Sequence, residues 1–120
     1  MKKYLLAAAV AALAISGPAM AHEPAGFTYE ARAQVSGFLL RAAMVCRENY
    51  DWRSMAATGV RLLAGPMRPI TNSYRATVKA WGTEGAKLFN TGVMQDGADA
   101  ACAEAAQDVV QARAIIARDR

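Results

Sequence analysis

Cys46 and Cys102 place the tightest constraint on what this chain can fold into. They are its only cysteines, they stand far apart, and neither belongs to a CxxC spacing. Such a pair is most simply a structural disulfide. Each also falls in a stretch whose apolar residues recur at three- and four-residue steps, so the bridge joins a first helix to a last one. Antiparallel packing then brings the end of the first beside the start of the last. Closing a loop of nearly sixty residues stabilises the fold by roughly 4 kcal/mol in the loop-closure account. A redox or metal role is the alternative, with Arg47 as the one neighbouring cation able to favour a thiolate.

The compartment follows from the start of the chain. Met1-Lys2-Lys3-Tyr4, an apolar run from Leu5 to Ile15 and then Ser16-Gly17-Pro18-Ala19-Met20-Ala21 have the order of a secretory signal peptide, with cleavage expected before His22. The run is shorter than the roughly 20 residues that span a bilayer, so no stable membrane insertion is expected after cleavage. The expected location is periplasmic or secreted. The organisation read from the sequence is a signal peptide over 1–21, an amino-terminal arm over 22–27 and a single helical domain over 28–120. Lys2 and Lys3 leave with the leader, so the 14 basic residues become 12 against 10 acidic ones, a charge of +2. That balance is weak, and export speaks against a nucleic-acid partner.

Val35, Phe38, Leu39, Ala42, Val45 and Cys46 form the stripe of a first helix within Thr28 to Tyr50, and Leu40 and Met44 widen it. A helix so broadly apolar belongs at the centre of a bundle. Asp51 can cap a second helix from Trp52, with Trp52, Met55, Ala56, Gly59, Leu62 and Leu63 buried, ended by Gly65-Pro66. A third starts near Asn72 with Thr71 or Ser73 as cap, runs through Tyr74, Val78, Trp81, Leu88 and Phe89, and ends at Thr91-Gly92. Within it, Gly82 and Gly85 mark a kink or a close backbone approach. The last begins at Asp96-Gly97-Ala98-Asp99 with a capping aspartate and buries Cys102, Ala105, Ala106, Val109, Ala112 and Ile116. The fold class is therefore all-α, a small bundle of about four helices closed by Cys46–Cys102.

No residues spell out a catalytic chemistry. His22 is the only histidine and opens a loose arm, so neither a triad nor a two-histidine copper brace can be assembled, and a CxxCH haem attachment is absent. Met44, Met55, Met67 and Met94 read as packing residues. No cofactor, metal site or enzymatic activity is expected. The sharper possibility is an aromatic-basic partner surface of Tyr74, Lys79, Trp81 and Lys87, with Phe89 beside it and the glycines allowing close approach. A core stripe accounts equally well for Tyr74, Val78, Trp81 and Phe89.

Phe38-Leu39-Leu40-x-Ala42-x-x-x-Cys46, Trp81-Gly82-x-x-Gly85 and Ala101-Cys102-x-x-Ala105 together resemble the pattern of short, exported, two-cysteine helical proteins of Gram-negative bacteria. Size, helical content and one distant disulfide are also similar to periplasmic acid-stress chaperones of the HdeA type. The resemblance implies a helical fold and an envelope location, and no site residues. Three functions follow as expectations: binding of another envelope macromolecule, most simply a protein; an acid-stress chaperone that loosens to expose Phe38, Leu40, Trp52 or Trp81; and carriage of a hydrophobic ligand or haem between helices.

Overall fold

The computed structural model describes residues 28–64 and 71–119. The expected signal segment, the arm 22–27 and the turn Gly65-Pro66-Met67-Arg68-Pro69 lie outside the described residues. Among the described residues, four helices and no strand occur: α1 Tyr29–Val45, α2 Trp52–Leu63, α3 Asn72–Asp96 and α4 Ala98–Arg118. The all-α bundle closed by Cys46–Cys102 is the architecture observed, with the two Cα atoms 5.7 Å apart.

α1 starts because the Thr28 hydroxyl accepts from the Ala31 N–H at 3.1 Å, with Glu30 in the positive first turn. It ends sooner than the apolar run to Tyr50 suggests. Cys46 leaves helical geometry at φ −92, ψ 63, and Asn49 turns the chain at φ 67. As its wide stripe predicts, α1 is central and packs against all three other helices. Its circumference is nevertheless not fully covered: Leu40, Met44 and Val45, expected in the stripe, are 37%, 63% and 38% exposed. Three neighbours leave one sector of the helix and its last turn to solvent.

The α1–α3 crossing is a backbone contact. A methyl group on Gly37 would overlap the Gly82 carbonyl, and one on Gly85 would overlap the Gln34 carbonyl, so Gly82 and Gly85 mark close approach and not a kink. Phe38 and Phe89 fill the adjoining core edge to face, with ring centres 5.3 Å apart. α2 joins α1 through two side-chain hydroxyls. The Ser36 hydroxyl donates to the buried Gly59 carbonyl at 2.7 Å, and the Tyr29 hydroxyl donates to Leu63 O at 2.7 Å, satisfying a carbonyl at the end of α2.

α2 begins at Trp52 as expected, with Asp51 accepting from the Ser54 N–H at 3.1 Å. Met55, Gly59 and Leu62 are buried, and Trp52, Ala56 and Leu63 are half-buried. Thr71 is the cap of α3, accepting from the Tyr74 N–H at 3.2 Å. That helix does not end at Thr91-Gly92. It continues to Asp96, because Phe89 is buried in the core and Val93 packs against it. Gly97, at φ 93, is where it stops. α4 follows at once without a capping aspartate: Gly97 is the N-cap and no side chain bonds there. Its face is buried where the periodicity places it, at Cys102, Ala105, Val109, Ala112 and Ile116, with Ala106 half-buried.

Candidate functional site

Of the expected partner surface, Tyr74 and Trp81 come together, edge to face at 6.1 Å, and Tyr29 lies 6.1 Å from Tyr74 on the other side. This file of rings is partly structural. Trp81 is half-buried beside a small cluster of Tyr29, Ala33 and Val78, and Phe89 is wholly in the main core. Lys79 and Lys87 are exposed. They sit two residues before and six after Trp81, about 200° and 240° around the helix, and so point away from the ring. Nor do the glycines open the surface to a partner, since the backbone of α1 already occupies that space.

A second aromatic-basic cluster surrounds Trp52, which the periodicity alone assigns to the buried stripe of α2. The Arg47 and Arg53 guanidinium carbons lie 3.9 and 4.8 Å from the centre of the Trp52 ring. Both arginines are exposed and the ring is half-buried. The platform is stiff at its root: Cys46 is bridged to α4, Asp51 caps α2, and the Tyr50 hydroxyl donates to Asp99 O at 3.3 Å. Neither guanidinium forms an ion pair among the described residues. The available signal was two arginines within five residues of a tryptophan at a helix start.

Three charged groups are buried against expectation. Arg32 reaches Asp119 through two parallel bonds, Nη1 to Oδ2 at 2.8 Å and Nη2 to Oδ1 at 2.6 Å, clasping the start of α1 to the end of α4. The hydrogen bond from Arg32 holds the Asp119 carboxyl below its usual range, with the Arg32 charge acting in the same direction and burial opposing both. One turn apart on α4, Glu104 and Asp108 are also buried, Asp108 to 1% exposure. Burial, and secondarily the charge of Glu104, raise the Asp108 carboxyl from 3.8 to about 7.

No group of three or more potential metal ligands occurs among the described residues, and no described helix is long and apolar enough to cross a membrane. Met55 is in the core, whereas Met44 and Met94 are exposed. No protein family, curated protein or solved structure matches the chain.

Proposed function

We propose that the protein acts by binding another macromolecule of the cell envelope, with the Arg47–Trp52–Arg53 stack receiving an acidic segment of a protein partner. The observation carrying this reading is the pairing of two exposed guanidiniums, without carboxylate partners among the described residues, on one fixed tryptophan. Tryptophan and arginine are the residues in which interface energy concentrates. Stacking on the ring holds each guanidinium ready, with N–H donors left for carboxylates. Met44, three residues before Arg47 and 63% exposed, offers a pliable apolar contact close by in the chain.

The test is capture from envelope extract by the oxidised protein over a salt series. Arg47→Glu with Arg53→Glu should reduce capture at least tenfold while leaving thermal unfolding unchanged. Lys79→Glu with Lys87→Glu serves as the comparison. Loss only in the lysine pair would move the partner to α3, and capture indifferent to both would sink the proposal.

The acid-chaperone reading has one observation in its favour, the Arg32–Asp119 clasp. A carboxyl lowered in the folded state contributes stability above its unfolded pKa and loses it as pH falls through the folded one, here below 3.8. Asp108 acts oppositely above that range, so release in mild acid is the weaker proposal.

A further inference from the structure

The Asp108 carboxylate oxygens are both buried and accept no hydrogen bond among the described residues. An ionised carboxylate buried there has no donor among the described residues to stabilise it. Glu104, one turn earlier on the same face and 7% exposed, adds a like charge. No charged group on the packed helices bonds to Asp108 among the described residues. On α1, Arg32 is bound to Asp119 and Arg41 to Asn90 at 2.9 Å, and Glu30 is exposed. On α2, Arg53 stacks on Trp52 and Arg61 is exposed. On α3, Glu84 accepts from Gln34, while Arg75, Lys79, Lys87 and Asp96 are exposed. On α4 itself, Arg113 turns to Ser54.

α4 is pinned on either side of this pair. Six residues before Asp108 stands the disulfide at Cys102, and eleven after it the Asp119 clasp to Arg32. We propose that Glu104 and Asp108 form a proton-held latch: α4 stays seated on the bundle while Asp108 is protonated, and loss of that proton loosens the helix between its two fixed ends. The direction follows from burial. A carboxyl raised in the folded state contributes stability that is present in acid and lost as pH rises from its unfolded value of 3.8 through about 7. The latch opens toward the alkaline side, uncovers the face of Val109 and Ala112, and is independent of the partner-binding reading.

Hydrogen exchange of the oxidised protein, corrected for intrinsic rates, tests it. Protection of the α4 amides from Glu104 to Ile115 should fall at least tenfold between pH 6 and pH 8.5, and Asp108→Asn should remove the fall. A flat profile in the parent protein, or the same fall in the variant, would overturn the latch. Should Asp108→Asn not fold, two measurements on other material decide. Carbon-13 titration of the parent should put the Asp108 carboxyl midpoint near neutral, where an ordinary aspartate value would refute the proposal. Glu104→Gln should shift the midpoint of the protection change to lower pH, and an unmoved midpoint would refute the pair as a unit.

Discussion

Gly85 sets the separation of α3 and α1, because the atoms its methyl group would strike, Gln34 O and C and Phe38 N, are backbone and cannot swing aside. Gly85→Ala should therefore cost about 3 kcal/mol in urea unfolding. Gly97→Ala should cost about 1 kcal/mol, since that residue lies at φ 93 with nothing within 4 Å and conformation alone is at stake. Equal costs would mean that the crossing relaxes. Gly82 and Gly85 are legible in the sequence as breakers inside a helical pattern. Choosing between kink and close approach needs Gly37 opposite them, and nothing in α3 announces which face of α1 it meets. Asp108 is illegible for a different reason: an aspartate among alanines reads as the solvated edge of a stripe, because aspartate is almost never fully buried without a partner.

At the scale of elements, α4 is held by unlike chemistries at its two ends, a covalent bridge at Cys102 and an ion pair at Asp119. Removing the second leaves the Arg32 guanidinium buried without its carboxylate. Asp119→Ala should destabilise the protein by about 2 kcal/mol at pH 7, and denaturant titrations should show this difference shrinking as pH falls below 3.8, where the parent loses the pair too. A constant difference would assign the effect to packing. The centrality of α1 is readable from the width of its apolar stripe. The exposure of Leu40, Met44 and Val45 is not, because periodicity orients a face without counting the helices that cover it. Propensity likewise mislocates the end of α3. Gly92 costs about 1 kcal/mol inside a helix, and burial of Phe89 together with the packing of Val93 against the core outweighs it.

The whole molecule combines these terms into an unusual pH profile. Unfolding free energy of the oxidised protein should rise as pH falls from 8 toward 5, through Asp108, and decline again below 3.8 as the Arg32–Asp119 pair is lost. Replacing both cysteines by serine should lower the whole curve by roughly 4 kcal/mol without changing its shape. A profile that falls monotonically with acid would contradict the first statement, and a change of shape the second. The disulfide is the part of this behaviour legible from the sequence, since two cysteines on helical stripes leave little choice of pairing. The opposed carboxyls become visible only when burial and neighbours are known. Both ties on α4 join it to α1, the first helix of the described domain, and this fixes an order of events during synthesis. A chain emerging from its amino end presents Phe38, Leu39 and Ala42 long before the helix that closes over them exists. The bundle is therefore completed by its last turns, and until they emerge the central helix depends on whatever shields a nascent chain.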